Sequence, residues 1–263
     1  MDLGLADKVA LVAAASSGLG RAIAEELATE GAHLVICARD GARLQQVRDA
    51  IAQSHGVSVS AVTADVGVPQ DVERLVAQAL EEHGRVDVLV TNNGGPPDGG
   101  MDAFGPDDWE DAFRLILQSA VELSRRVLPG MKERGFGRIL NVTSIAAKQP
   151  VDRLILSNSL RAGVLGFART LANEVAAHGI TVNNLLPGFT RTQRLEDLAA
   201  ASAAAEGLAP TDIYARWAAQ IPAGRIGEPQ EFAALAAFLA SERASYITGA
   251  SIAVDGGWIR SLL

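Results

Sequence analysis

Residues 9–27 read VALVAAASSGLGRAIAEEL: a short apolar run, two closely spaced glycines and the start of an amphipathic segment. The run predicts a buried β-strand, and Gly18 and Gly20 fall where that strand turns into a helix. At such a turn glycine lets the backbone approach a pyrophosphate, and the helix N-terminus supplies amide donors and the positive end of a dipole. The stretch therefore predicts a phosphate-binding turn, with a tight turn that holds no ligand as the alternative.

The same alternation continues along the chain. Apolar runs that predict strands lie at 9–14, 33–38, 57–63, 86–91, 138–143, 180–186 and 251–254, and stretches with helical periodicity lie between them, among them 21–30, 71–82, 107–126 and 162–177. Strands that are apolar on both faces and separated by helices are typical of a parallel sheet covered on both sides. We expect one doubly wound α/β domain over residues 1–263, with a parallel seven-stranded sheet and helices on both faces.

One late segment, residues 189–228, departs from this rhythm. It is rich in alanine and is interrupted by Gly207, Pro210, Pro222 and Gly224. One interpretation is a helical hairpin that covers the surface. The other is a mobile lid over the carboxyl ends of the strands, where open α/β sheets bind their ligands.

The composition narrows the class of partner. With 23 Lys and Arg against 31 Asp and Glu, the net charge is −8, which argues against nucleic acid or an anionic membrane as the main partner and favours a small molecule. Cys37 is the single cysteine, so no internal disulfide framework is possible. The four histidines fall in predicted strands or helix ends, and we expect no metal site. The start lacks the pattern of a signal peptide, and no apolar run is long enough to cross a membrane, so a cytoplasmic location is expected.

Several further motifs, in order, resemble those of the short-chain dehydrogenase/reductase superfamily over nearly the whole chain. They are the turn with Ala13, Ala14, Gly18 and Gly20; Thr91-Asn92-Asn93-Gly94; GRILNVTS, which ends at Ser144; GITVNNLLPGF at 179–189; and ITGASIAVDGG at 247–257. The resemblance is closest to the 3-oxoacyl-carrier-protein reductases. It implies a Rossmann-type domain that binds a nicotinamide cofactor.

The end of the second strand bears on the choice of cofactor. Proteins of this type that bind NAD place a carboxylate there for the ribose 2′-hydroxyl, whereas an arginine accommodates a 2′-phosphate. Here the strand ends at Arg39, whose planar guanidinium suits phosphate, so NADP(H) is favoured over NAD(H). The alternative is a solvated loop arginine beside Asp40.

The resemblance implies which residues of this chain contact the cofactor. They are Ala14, Ser16, Ser17, Gly18, Leu19, Gly20, Arg39, Asp65, Val66, Asn92, Gly94, Arg161, Pro187, Gly188, Thr190 and Thr192. Ala14 replaces the family's first glycine, and an alanine fits there if its φ is negative.

The catalytic positions depart from the family pattern of Asn, Ser, Tyr and Lys. Ser144 is retained, but an ungapped match downstream puts Ser157 at the tyrosine position and Arg161 at the lysine position, and Ile116 falls at the asparagine position. Arg161 can still bind ribose hydroxyls but stays protonated. Serine is a shorter side chain and a far weaker acid than tyrosine.

Lys148 lies four residues after Ser144, in a loop at the carboxyl end of a predicted strand. An ammonium that is partly desolvated beside the nicotinamide would suit proton transfer near neutral pH. The alternative is a surface lysine that points to water. The candidate catalytic residues are therefore Ser144, Lys148, Ser157 and Arg161.

Two functions follow from these residues. The first is an NADP(H)-dependent oxidoreductase acting on a carbonyl or alcohol substrate by altered acid–base chemistry. The second is an NADP(H)-binding protein without turnover, such as a sensor or a partner subunit. The resemblance also implies a homotetramer or homodimer paired through the stretches at 107–126 and 157–177, which carry extra apolar residues.

Overall fold

The seven apolar runs form one fully parallel sheet in the computed structural model, which describes residues 1–262. The strands are β1 Val9–Val12, β2 His33–Ala38, β3 Val59–Thr63, β4 Val88–Thr91, β5 Gly137–Val142, β6 Ile180–Pro187 and β7 Ser251–Val254. Their order across the sheet is β3-β2-β1-β4-β5-β6-β7. The predicted α/β class and the single doubly wound domain are confirmed.

Helices cover both faces of this sheet. They are α1 Gly18–Thr29, α2 Gly41–His55, α3 Pro69–His83, α4 Pro106–Phe113, α5 Ser119–Arg134, α6 Ile155–Val175, α7 Gln193–Glu206, α8 Pro210–Gln220 and α9 Pro229–Ala240. Two apolar cores result. One packs β-strand side chains against α1 and α9, and the other packs the opposite side chains against α3, α5 and α6.

Three features of the helices were not predicted from the sequence. In α2 only Leu44, Val47 and Ile51 are buried, which is a narrow apolar stripe. α9 is apolar nearly all round, so its sequence shows little amphipathic period. The predicted helix at 107–126 is longer and is interrupted: a π-helical turn, Arg114–Gln118, joins α4 to α5, which continues to Arg134.

The strand order reverses between β1 and β4. In an open α/β sheet the connections on either side of such a reversal leave in opposite directions, which opens a crevice at the carboxyl ends of the strands. The glycine turn after β1 and the Asn-Asn-Gly sequence after β4 therefore meet at that crevice.

A chain of buried polar side chains crosses four strands near this edge. The Thr91 hydroxyl donates to Asn141 Oδ1 at 2.8 Å, Asn141 Nδ2 donates to Asn184 Oδ1 at 3.1 Å, and Asn184 Nδ2 donates to the Ser251 hydroxyl at 3.0 Å. The four residues are direct register partners on β4, β5, β6 and β7. We call this chain the polar ladder. Each amide in it bonds to the neighbouring side chain of the ladder.

The segment at 189–228 folds mainly as the helix pair α7 and α8, which carries a small core of its own. Phe189 stacks on Trp217 with ring centroids 5.3 Å apart, and its edge meets Trp258 of the C-terminal tail at 5.9 Å. Tyr214 packs edge-on against Trp217 at 5.8 Å. We call these four rings the aromatic cluster. They tie the helix pair to the segments on either side of it.

None of the helices in the described residues 1–262 is both long and apolar enough to cross a membrane.

Candidate active site

The glycine turn after β1 is built by very close backbone packing. Gly18 has a φ of +56° and begins α1. A Cβ on Gly20 would lie 2.3 Å from the carbonyl oxygen of Ala14 and 2.8 Å from Asn92 Nδ2, so only glycine fits. Ser17 precedes the helix in an extended conformation and makes no side-chain cap, so its hydroxyl does not consume the amide donors of the first turn.

The expectation that Ala14 has a negative φ is wrong. Its φ is +50°, in the left-handed region, rather than negative. That conformation costs a non-glycine residue about 1–2 kcal/mol. The turn keeps the conformation that glycine would favour and holds alanine in it.

Asn92 and Thr192 border this turn from two other elements. Asn92, in the loop after β4, lies against Gly20, and the side chain of Thr192 lies 3.5 Å from the Cβ position of Gly18. Thr192 is the N-cap of α7 and accepts from the Leu195 amide at 3.4 Å. The start of the helix pair therefore touches the predicted phosphate turn.

Among the described residues, Arg39 makes no ion pair with the neighbouring Asp40. Asp40 caps α2, and its Oδ1 accepts from the Arg43 amide at 3.0 Å. Arg39 is exposed, has no carboxylate within 4.0 Å in the described part of the chain, and brings Nη2 to 3.9 Å from the Cβ position of Gly94 across the crevice. Its guanidinium thus extends over the mouth of the candidate cofactor site.

Asp65 and Val66 follow β3 at the same edge. Asp65 Oδ1 accepts from the Gly67 amide at 2.9 Å, while its own amide donates to Asp71 at 2.8 Å. These bonds fix the turn that carries Val66, which is buried. Asp65 retains a second carboxylate oxygen for a ligand.

The remaining predicted cofactor contacts lie around the same crevice. Ser16 and Leu19 are half-buried in the glycine turn, Pro187 ends β6, Gly188 packs against Asp255, and the buried Thr190 donates to the carbonyl of Gly188.

Ser144, Ser157 and Arg161 converge where β5 ends. Ser144 follows Thr143 directly and caps a short 3₁₀ turn, accepting from the Ala146 amide at 3.1 Å. Ser157 and Arg161 are one turn apart on α6 and are both buried, at 7% and 8% exposure. Arg161 Nη1 donates to the carbonyls of Thr143 at 2.7 Å and Val142 at 3.2 Å. The helix face that carries both residues therefore packs on the residues leading into Ser144.

Arg161 is a buried cation held by neutral acceptors. Its Nη2 donates to Asn93 Oδ1 at 3.2 Å, and no carboxylate lies within 4.0 Å of it in residues 1–262. Burial, with the Arg194 guanidinium as the lesser cause, lowers the pKa of Arg161 to about 10. The side chain therefore remains charged at neutral pH and does not act as a proton relay.

Asn93 is a positioning residue that the sequence marks only as part of the Asn-Asn-Gly motif. Its Oδ1 accepts from Arg161 and from the Gly95 amide at 3.2 Å, and its Nδ2 donates to the Leu115 carbonyl at 3.3 Å. Leu115 belongs to the π-helical turn, and the next residue, Ile116, is buried among apolar side chains. Such turns often mark functional sites, yet here Ile116 offers no polar group.

Lys148 lies just beyond the 3₁₀ turn at the carboxyl end of β5, as the sequence predicts, but it is exposed. The partial desolvation that its proposed role requires is not present in this structure. Its place in the mechanism stays a prediction.

A doubly wound sheet with a glycine turn at its strand reversal defines a dinucleotide-binding protein of the Rossmann class. The family model described as Enoyl-(Acyl carrier protein) reductase matches residues 13–259. The 3-oxoacyl-(acyl-carrier-protein) reductase of Vibrio cholerae is 36% identical over 255 residues, which cover 97% of this chain and 98% of that protein. Dehydrogenase/reductase SDR family member 4 of Homo sapiens is 37% identical over 256 residues, covering 96% and 88%.

A solved structure gives the same result. L-sorbose reductase from Gluconobacter frateurii, complexed with NADPH and L-sorbose, superposes with a TM-score of 0.96 at 35% identity and full coverage of both chains. The chain belongs to the short-chain dehydrogenase/reductase family of NAD(P)-dependent oxidoreductases. The resemblance inferred from the sequence is confirmed.

Proposed function

We propose that the protein is an NADP(H)-dependent oxidoreductase acting on a small carbonyl or alcohol substrate, with Ser157 and Arg161 in place of the usual tyrosine and lysine. The observation that carries the proposal is the bond from the buried Arg161 to the Thr143 carbonyl, because it packs the catalytic helix against the residue that precedes Ser144. Ser144 would bind the substrate oxygen. Arg161 would orient the ribose side of the cofactor through its fixed positive charge.

The crevice fits a dinucleotide. Ser17 does not cap the first turn of α1 with its side chain, so the amides there are not taken up by it. The Arg39 guanidinium and the start of α7 border the same opening. Asp65, Val66 and Asn92 would hold the adenosine side, and Pro187, Gly188, Thr190 and Thr192 would hold the nicotinamide side. The cofactor supplies a hydride equivalent when bound, and the chain must then position the substrate oxygen and provide for its proton.

Replacement of Arg39 tests the preference for NADP(H). Arg39→Ala should weaken NADPH binding by about 10- to 100-fold, the factor for a lost hydrogen bond between charged groups, and leave NADH affinity nearly unchanged. Isothermal titration calorimetry with both cofactors measures this. Arg43→Ala is the matched control, since Arg43 is an exposed arginine in the first turn of α2. Equal losses for the two cofactors would contradict the assignment.

Replacement of Lys148 tests the proton donor. If Lys148 supplies the proton, Lys148→Met should lower turnover by about 10²- to 10⁴-fold, the usual contribution of a general acid, with NADPH affinity unchanged. The exposed Lys132 at the end of α5 provides the control Lys132→Met. Wild-type turnover in Lys148→Met would assign the proton to water or to the substrate itself.

The second candidate function is cofactor binding without turnover. Two observations favour it: Arg161 bonds to backbone carbonyls, and Lys148 is exposed, so within residues 1–262 neither is held where it would give a proton to a substrate at Ser144. Incubating the protein with NADPH and a panel of ketones and β-ketoacyl thioesters, while absorbance at the reduced-nicotinamide band is followed, separates the two. Tight NADPH binding with no oxidation across the panel would favour the second candidate.

We also propose a homotetramer or homodimer. Phe113 is exposed on α4, and Leu117 and Phe167 are only partly covered within the single chain, which supports an apolar contact between copies along α4, α5 and α6. Light scattering at micromolar concentration should give a mass of two or four chains. The mass of a single chain would refute this prediction.

A further inference from the structure

Two guanidinium groups face neighbouring residues of the loop that follows β4. Arg161 Nη2 lies 3.6 Å from the Cβ position of Gly95, and Arg194 Nη2 donates to the carbonyl of Pro96 at 3.2 Å. Arg161 comes from α6 beneath the loop, whereas Arg194 comes from the first turn of α7 above it. The two cations therefore approach one short stretch of backbone from different elements.

Within residues 1–262, neither cation has an acidic partner within 4.0 Å, which is unusual for this part of the chain. The other arginines of segment 189–228 all make ion pairs: Arg191 with Glu228 at 3.1 Å, and Arg216 and Arg225 with Glu206 and Glu231. Arg194 has only the Pro96 carbonyl, and Arg161 only neutral acceptors, among residues 1–262. Two nearby carboxylates face other residues: Asp98 lies 4.0 Å from Arg153, and Asp197 accepts from Gln193 at 3.2 Å.

Two like charges brought together without a counterion are unfavourable, and the cost grows as they are desolvated. Burial is the main cause of the lowered pKa of Arg161, and the Arg194 guanidinium lowers that pKa further. An anion held between them would remove this repulsion. A guanidinium also presents paired donors that match a carboxylate.

We propose that the substrate carries a carboxylate and that Arg194 binds it, with Arg161 as the fixed cation behind it. This inference rests on the proposed function and specifies the class of substrate, an oxo or hydroxy acid. Arg194 is then a specificity residue carried by the helix pair. Because Arg194 already bonds to Pro96, it is placed over the crevice before any ligand arrives.

Kinetics on matched substrates test the proposal. We compare 2-oxobutanoate, 3-oxobutanoate and 4-oxopentanoate with their methyl esters, which keep the ketone and lose the charge. The wild type should prefer the acids, and Arg194→Gln should lower the acid-to-ester ratio of kcat/KM by about 10- to 100-fold. Glutamine retains a donor for the Pro96 carbonyl. Arg216→Gln, which removes an exposed arginine of segment 189–228 that is already paired with Glu206, should leave the ratio unchanged.

A binding measurement separates this inference from turnover. The same acids and esters are titrated by calorimetry into protein saturated with NADP⁺, where the oxo acids are not reduced. Acid binding that is lost in Arg194→Gln supports the inference, even if no compound is turned over and the proposed function fails. Equal binding of acids and esters to the wild type would overturn it. So would an Arg194→Gln variant whose main defect is weaker NADP⁺ binding, because Arg194 would then serve the cofactor diphosphate.

Discussion

Gly20→Ala should weaken NADPH binding by about 100-fold, equivalent to about 2.8 kcal/mol, and lower the free energy of unfolding by about 1–3 kcal/mol. The new Cβ would lie 2.3 Å from the Ala14 carbonyl oxygen and 2.8 Å from Asn92 Nδ2. The nearer atom belongs to the backbone of the glycine turn, so the clash cannot be relieved by moving a flexible side chain. The turn must widen, and its amides lose their alignment toward the cofactor. Calorimetric titration and chemical denaturation measure the two effects separately.

Gly105→Ala is the matched control for this change. Gly105 is exposed, has a negative φ of −90°, and a Cβ there would come no closer than 3.9 Å to the Asp108 carboxylate. Because Gly105 is the N-cap of α4, where alanine is less favoured than glycine, its substitution should lower the free energy of unfolding by about 0.5–1 kcal/mol and leave NADPH affinity unchanged. A Gly20→Ala variant with native cofactor affinity would show that the glycine turn does not hold the phosphates.

Asn141→Leu should lower the free energy of unfolding by about 2–5 kcal/mol. Asn141 is the second member of the polar ladder, where it accepts from Thr91 and donates to Asn184. Leucine would leave the Thr91 hydroxyl and Asn184 Oδ1 buried and without these partners, at about 1–3 kcal/mol for each group. Urea denaturation followed by circular dichroism gives the change.

Thr181→Val tests whether the loss comes from broken hydrogen bonds or from any polar-to-apolar change in the sheet. Thr181 is buried on β6, and its hydroxyl has no hydrogen-bond partner among the described residues. Its removal should be neutral or slightly stabilising. If both variants lost stability equally, the ladder would not be the cause.

The fold was predictable because the pattern of an apolar run followed by a helical stretch recurs along the whole chain. Seven apolar runs separated by helical stretches predict a parallel sheet that is covered by helices on both faces. The spacing of Gly18 and Gly20 indicates the edge of that sheet at which a ligand binds. The family motifs then identify the positions of Ser144, Ser157 and Arg161. The fold and these three positions were predictable for the same reason, because both depend on residue types at fixed spacings along the chain.

The details of the site depend on the directions of side chains, which spacing does not determine. The left-handed φ of Ala14, the exposure of Lys148 and the turn of Arg161 toward the β5 carbonyls are consequences of tertiary packing. Asn93 and Arg194 likewise acquire their roles from partners far away in the chain, at Leu115, Arg161 and Pro96. Asn93 is marked by the Asn-Asn-Gly motif, but the motif does not reveal its bond to Arg161, and no local pattern distinguishes Arg194 from an ordinary surface arginine.

The aromatic cluster also gives the protein an internal optical reporter. The chain contains three tryptophans, and two of them, Trp217 and Trp258, flank the same ring of Phe189. Phe189 lies in the stretch that joins β6 to α7, so a displacement of α7 and α8 would change the surroundings of both indoles together. Intrinsic fluorescence would therefore follow that displacement in real time, without a label, in the native protein.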